Sequence, residues 1–195
     1  MNEAMKRLIL ASKSPRRDEI LDLAGYAHEI IVSDADETLN EEISARDAVR
    51  EISRRKAAAV LGETSGERVI VAADTVVENN GEIYGKPKDA SDARRMLSEM
   101  SGGRHLVHTG ITVTDGARTV SETVTTEVYM RKLKDEEIEG YIASGAPFDK
   151  AGAYGIQGVA GAFVERLEGD YFNVMGLPLY RISEILSEFG IELFD

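Results

Sequence analysis

The sequence predicts a mixed α/β protein, and three observations point there. Short apolar runs of strand length alternate with stretches whose apolar residues recur at helical spacing. Turn signals at Asn79-Asn80-Gly81 and Asp115-Gly116 each sit between strand-like runs, so part of the pairing is antiparallel. No Pro/Ser/Gly-rich linker divides the 195 residues, a length that suits one domain or two lobes sharing a core.

The elements follow in order. Arg7 to Ala11 is an apolar run of strand length, followed by the polar loop Ser12-Lys13-Ser14. Pro15 stands where a helix starts, with Ile20, Leu21 and Ala24 at helical spacing and Gly25 as its stop. His28 to Ser33 reads as a strand and Asp34 to Glu37 as an acidic loop. Ser44 with Asp47 resembles a capping box that opens a helix to about Leu61. Arg68 to Ala73 is the most strand-like run; Asp74-Thr75, Val76-Val77 and the Asn79 turn follow it. Asp89 and Asp92 cap a helix to Met100, and Val107 to Arg131 forms a long hairpin in which Val120, Val124 and Val128 alternate with Thr and Ser. Helices at about 135–144 and 178–189 complete the set. Eight of the 18 glycines fall from Gly140 to Gly176, four of them spaced every third residue at 152, 155, 158 and 161. Such density marks either backbone that approaches a ligand with φ > 0 or a string of tight turns.

Composition narrows the function. Lys and Arg number 23 against 35 Asp and Glu, a net charge of −12, which argues against a protein that grips nucleic acid or an anionic membrane over its surface. The absence of cysteine removes disulfides, thiolate metal sites and Cys nucleophiles together. The longest uninterrupted apolar runs, Ala57–Leu61 and Val69–Ala73, are too short for a membrane span, so the expected setting is the cytoplasm.

Three constellations can carry chemistry. Ser12-Lys13-Ser14-Pro15-Arg16-Arg17 combines hydroxyls, a helix start and three cations, an arrangement suited to phosphate, although without the glycines of a P-loop. Asp74 and Thr75 follow a buried strand, where α/β sheets place ligands, and Asp36 or Glu37 offers a further carboxylate for a hard cation such as Mg²⁺. Lys56, Lys86 beside Gly85 and Pro87, and Lys150 just before the glycine series suit the pinning of a phosphate. Each, taken singly, also reads as an ordinary cap, turn or surface lysine. His105 and His108 point to opposite faces of one strand and His28 stands alone, so all three histidines read as structural.

Together these residues resemble one family. Leu10 to Arg17 (LASKSPRR), Ala73 to Val77 (ADTVV), Gly85-Lys86-Pro87 with Asp89, Ala93, Met96 and Leu97, Ser101-Gly102 with His105, Val107 and Thr109-Gly110, Asp149 to Gly158 (DKAGAYGIQG) and Asn173 to Pro178 (NVMGLP) are similar, in order, to the motifs of Maf-type nucleoside triphosphate pyrophosphatases. The resemblance spans almost the whole chain. It implies an inosine triphosphatase-like α/β fold, an elongated mixed sheet with flanking helices forming a single domain over residues 1–195, with two lobes around a central cleft, often dimeric. It implies a house-cleaning hydrolysis of a nucleoside triphosphate to monophosphate and pyrophosphate with Mg²⁺ or Mn²⁺. Asp74 would accept the proton of the attacking water or share that task through the metal, and Glu37, or Asp36 in the same variable loop, would help bind the cation. Ser12, Arg16, Arg17, Lys56 and Lys86 would surround the triphosphate.

Three positions separate the branches of that family. Arg16, Thr75 and Gln157 are similar to the dTTP/UTP branch, where the 7-methyl-GTP branch carries Trp, Gln and Glu. Gln157 presents one acceptor and two donors, able to pair with the O4 and N3–H edge of uracil or thymine. A single methyl group is worth about 1–3 kcal/mol of discrimination, so dTTP and UTP can both be accepted. The family's older association with septum formation leaves a second reading, a non-catalytic nucleotide- or nucleic-acid-binding regulator of division; a third keeps the enzyme but changes the nucleotide. The −12 is an average: residues 12–17 and 54–56 each hold three cations and no acid. One opposite charge at about 4 Å is worth roughly 4 kcal/mol at an effective dielectric near 20, enough for local cations to outweigh screened distant acids.

Overall fold

A computed structural model describes residues 6–39 and 43–193. Its sheet has seven strands: β1 (Arg7–Leu10), β2 (Glu29–Ile30), β3 (Arg68–Asn79), β4 (Glu82–Tyr84), β5 (Arg104–Thr114), β6 (Thr119–Met130) and β7 (Val164–Glu168). They lie in the order β2-β1-β3-β5-β6-β7, with β4 paired to β3. β1 runs parallel to both β2 and β3, while β3–β4 and β6–β7 are antiparallel, so the sheet is mixed as expected. The helices are α1 (Pro15–Leu23), α2 (Ala45–Glu63), α3 (Ala90–Met100), α4 (Asp135–Ala143), α5 (Tyr171–Met175) and α6 (Leu179–Glu188). No helix among the described residues is long and apolar enough to cross a membrane.

The chain divides into two compact units, and β3, β5 and β6 each contribute residues to both. The first contains residues 1–74, 109–124 and 176–195. Its core joins Ile9 and Ala11 of the β1 segment, Ile70 and Ala72 of β3, and Ala57 and Val60 of α2. α2 starts as the sequence predicts: the Ser44 hydroxyl accepts from the Asp47 N–H at 3.1 Å. The helix lies directly on β5, because Gly110 has no side chain there; a Cβ at that position would stand 2.2 Å from the Val49 carbonyl. Hydrogen bonds between the Ser53 and Thr112 hydroxyls (2.8 Å) and from the Thr123 hydroxyl to the Arg46 carbonyl (2.8 Å) fix its register.

The second unit contains residues 75–108 and 125–175. α3 buries Ala93, Met96, Leu97 and Met100, one stripe at i, i+3, i+4, i+7, against Ile138, Tyr141 and Ile142 of α4 and Val107, Val128 and Met130 of the hairpin. Each such large side chain removed from water contributes about 2 kcal/mol. Asn80 (φ 51°) and Gly81 (φ 83°) make the predicted tight turn between β3 and β4.

Two expectations need correction. The strand expected over His28–Ser33 is only Glu29–Ile30, since Ile30 and Val32 are exposed at the sheet edge and one ladder alone holds the segment. β3 does not stop at Ala73 but continues to Asn79, so Asp74 is a mid-strand residue rather than a strand-end one. β7, α5 and the short 3₁₀ turns at Ala146–Asp149, Ala151–Ala153 and Val159–Phe163 have no counterpart in the expected elements.

Candidate functional site

The acidic and cationic residues of the first unit converge. In the parallel ladder Leu10 pairs with Val71, and Ala11 N–H donates to the Val71 carbonyl at 2.8 Å. Continuing that register brings Ser12 level with Ala73, so the loop leaves β1 beside the strand position that carries Asp74. Ser12 is buried; its Oγ accepts from Ser14 N–H at 3.1 Å and from an Arg17 Nη1 at 3.2 Å. Arg17, at 9% exposure, also donates from Nε to the Gly176 carbonyl at 2.7 Å, which ties α1 to the segment before α6. Burial pushes the Arg17 pKa down from its ordinary value; Asp74 and Glu37 pull it back up, while Arg16 adds to the fall. Arg16 itself lies half-buried in the first turn of α1.

Lys56 is the hub. Its Nζ donates to Asp74 Oδ1 at 2.8 Å and meets Glu37 Oε1 at 2.9 Å. Lys56 and Asp74 side chains are only 12% and 15% exposed, whereas Glu37 is 58% exposed, so the pair opens to solvent on the Glu37 side. Asp36 and Glu37 make different contacts. Asp36 turns back on its own loop and accepts from Thr38 N–H at 2.9 Å, which lowers its pKa, while Glu37 reaches Lys56. Arg55, the neighbour of Lys56 on α2, holds that loop by donating to the Asp36 and Thr38 carbonyls. The sequence reading passed over Arg55, although it stands in the Arg54-Arg55-Lys56 run.

Lys86, Lys150 and Gln157 belong to the second unit. Lys86 is exposed in the turn between β4 and α3, where the Gly85 carbonyl accepts from Gly152 N–H at 3.0 Å. Lys150 is engaged locally: Nζ donates to the Ala146 carbonyl at 2.7 Å and to Asp149, and its methylenes cover Gly155. Gln157 is exposed on the rim of a pocket of about 540 Å³ whose walls include Tyr141, Phe163, Val159, Ala162 and Lys150. Tyr141 and Phe163 meet edge to face at 5.3 Å, and Arg131, paired through both nitrogens with Glu137, lies over Phe163. The Arg131 hydrogen bonds, helped by Lys134 N–H, hold the Glu137 carboxyl down at about 2. Thr75 follows Asp74 on β3, half-buried. The reading of His105 and His108 as structural agrees with their burial: His105 bonds Tyr154, and His108 bonds Glu78 and Thr125.

Among the described residues, the one trio of acid and histidine ligands close enough for a metal is Asp18, Asp22 and His28, where His28 Nε2 already meets Asp18 at 2.9 Å. Asp74 and Glu37 are a pair, and such a pair needs oxygens from water or substrate to complete a cation's shell.

This fold is shared with a HAM1 protein from Coxiella burnetii, which is 12% identical and superposes with a TM-score of 0.51 over 94% of this chain and 100% of that one. A family profile described as Maf-like protein matches residues 7–189, and the chain belongs to that family. It is similar to the dTTP/UTP pyrophosphatase of Alkaliphilus metalliredigens, 52% identical over 93% of this chain and 95% of the relative. It is also similar to the dTTP/UTP pyrophosphatase of Chromobacterium violaceum, 50% identical over 96% of each chain.

Proposed function

We propose that this protein is a nucleoside triphosphate pyrophosphatase acting on dTTP and UTP, and on related modified pyrimidine nucleotides, in the cytoplasm. One observation carries the reading: in a chain half identical to two dTTP/UTP pyrophosphatases, a single ammonium, Lys56, gathers the carboxylates of Asp74 and Glu37 within the electrostatic reach of Arg17.

The chemistry is the transfer of a nucleotidyl group to water, which attacks the α-phosphorus. The phosphorus–oxygen bond that joins the α- and β-phosphates breaks, the water oxygen takes the place of the bridging oxygen, and pyrophosphate leaves. Asp74 accepts the proton that water gives up. Ser12, Arg16, Arg17 and Lys56 meet the phosphate oxygens and stabilise the charge that spreads over them, which is most of what such a reaction asks of a protein. Two carboxylate oxygens that already converge on one positive charge fit a hard divalent cation, with Asp74 and Glu37 as its protein ligands. When bound, Mg²⁺ or Mn²⁺ supplies Lewis-acid stabilisation of the phosphate oxygens. Gln157 selects the pyrimidine. Lys150 has the weakest claim as a phosphate ligand because its ammonium is held by Ala146 and Asp149.

The test is an incubation with Mg²⁺ or Mn²⁺ and a panel of dTTP, UTP, CTP, GTP, ITP and 7-methyl-GTP. Monophosphate and pyrophosphate from dTTP and UTP are expected. Diphosphate plus phosphate, or no turnover, overturns the reading.

A further inference from the structure

Gln157 makes its case for base selection from a segment with no regular structure, so something must hold it. Gly152 (φ 67°) and Ala153 (φ 61°) adopt left-handed backbone in succession, and a non-glycine residue stays there only when its surroundings enforce it. Gly152 is pressed against Val77, where a Cβ would come within 2.7 Å of that side chain. The next residue, Tyr154, turns into the core and is 5% exposed. Its hydroxyl lies 2.7 Å from Nε2 of His105 on β5, and the two rings meet edge to face at 5.3 Å and 84°.

Among the described residues, no other side-chain hydrogen bond reaches this pair. His105 is 1% exposed and its Nδ1 has no hydrogen-bond partner. Burial holds the imidazole near 4, well below its ordinary value, and pushes the Tyr154 hydroxyl up, so both stay neutral around pH 7. A lone neutral hydrogen bond in an apolar core acts as a register mark, because any shift of the loop leaves both groups unpaired where no water can replace the partner. Gln157 is three residues beyond Tyr154, a reach of at most about 10 Å. The joint between them, Gly155, is covered by the Lys150 methylenes. Movement of Tyr154 therefore passes to Gln157.

We propose that His105 and Tyr154 are positioning residues whose buried hydrogen bond places Gln157, and so sets how sharply dTTP and UTP are separated from CTP. The proposal rests on the reading of Gln157 as the base-selecting residue. Tyr154→Phe removes one oxygen and keeps the ring contact. It should raise KM for dTTP and UTP about tenfold with kcat nearly unchanged, the pattern of lost uniform binding, and leave kcat/KM for CTP as it was. The effect should pass through Gln157: Gln157→Ala and the double variant Tyr154→Phe/Gln157→Ala should have the same dTTP:CTP ratio. Additive losses, or a lower melting temperature with an unchanged ratio, overturn the proposal. If Tyr154→Phe fails to fold, His105→Leu/Tyr154→Phe removes both polar partners together; it should fold and show the same reduced ratio, and a wild-type ratio from it overturns the proposal equally. Amide hydrogen exchange at Ala153 and Gly161, which donate to the Lys150 and Gly158 carbonyls, measured without substrate, should quicken at least tenfold in either variant; unchanged protection overturns the pin itself. A wild type that fails to release pyrophosphate from dTTP or UTP while that exchange still quickens would overturn the proposed function and leave the pin standing.

Discussion

The two parts of the protein that carry proposed substrate contacts are built in opposite ways. In the first unit, Ser12, Arg17, Lys56 and Asp74 sit on or beside regular elements, β1, α1, α2 and β3; Arg17 donates to the Ser12 hydroxyl at 3.2 Å and Lys56 pairs with Asp74 at 2.8 Å. In the second, residues 146–163 contain three 3₁₀ turns and left-handed backbone at Gly152, Ala153 and Gly158, and the segment is located by core contacts of Tyr154 and Phe163. The charged cluster is fixed by secondary structure, whereas the glycine-rich coil is fixed by packing and one buried polar pair. A reaction centre tolerates little error in the spacing of base and phosphate ligands.

The largest expected effect tests the first of these regions. Asp74→Asn keeps shape and removes the proton acceptor, and kcat should fall by about 10³-fold, within the usual range for loss of a general base. Turnover is read by pyrophosphate release, and nucleotide binding, read by calorimetry, should survive. Activity close to wild type would break the assignment of Asp74. Next in size is Gly110→Val, which forces side-chain atoms into the α2 backbone at a point where even a Cβ stands 2.2 Å from Val49. It should cost about 3 kcal/mol or more in a urea titration, because neither backbone can move aside. A near-neutral result would show that α2, and Lys56 with it, is not seated on β5 as described.

The difference between the two regions also explains what could be read from the chain. α2 and α3 were legible because Ser44 with Asp47 and Asp89 with Asp92 are local caps, and the stripe Ala93, Met96, Leu97, Met100 has a helical period. The charged cluster was legible as a set of motifs, but its wiring was not. That Lys56 bridges Asp74 and Glu37 depends on where α2 lies on the sheet, a tertiary fact set by Gly110 and Thr112. Asp74 was misplaced to a strand end because Asp is depleted in strands and interrupts the apolar run, although the β-branched Thr75, Val76 and Val77 carry the strand on. The spacing of Gly152, Gly155, Gly158 and Gly161 left ligand approach and tight turns undivided; in the structure Gly152 and Gly158 take positive φ, Gly152 presses on Val77 and Gly161 approaches the Ile156 carbonyl. β7 was invisible because Val164–Glu168 alternates little and is mostly exposed.

Acid should separate the regions next. His105 is held at about 4 in the folded protein against an ordinary value of 6.5. Below pH 6.5 the unfolded chain takes up this proton and the folded one does not, so stability is full above that pH and declines as pH falls to 4. The loss is about 3 kcal/mol when the window is crossed. Glu137, held at about 2, acts in a lower window, so its loss begins only as pH drops below the ordinary carboxylate range. Denaturant titrations at pH 7 and pH 4.5 should show the decline in wild type and a smaller one in His105→Gln; equal slopes would mean that the imidazole is not the group being protonated.

The smallest effect is the sharpest check on the idea that regular structure fixes the charged cluster. Ser44→Ala deletes the hydroxyl that accepts from Asp47 N–H and should cost about 1 kcal/mol, a fall of roughly 2–4 °C in Tm for a chain of this size. Lys56 lies 12 residues further along, more than three turns into α2, and Ser53 is bonded to Thr112 between the two points. Fraying of the first turn should therefore stop before it reaches Ser53, leaving the contacts of Lys56 with Asp74 and Glu37 in place. Tm should drop while kcat and KM for dTTP stay at wild-type values. A parallel fall in kcat would mean that the helix transmits disorder along its length, and that the charged cluster depends on a distant cap as the glycine-rich coil depends on its buried pin.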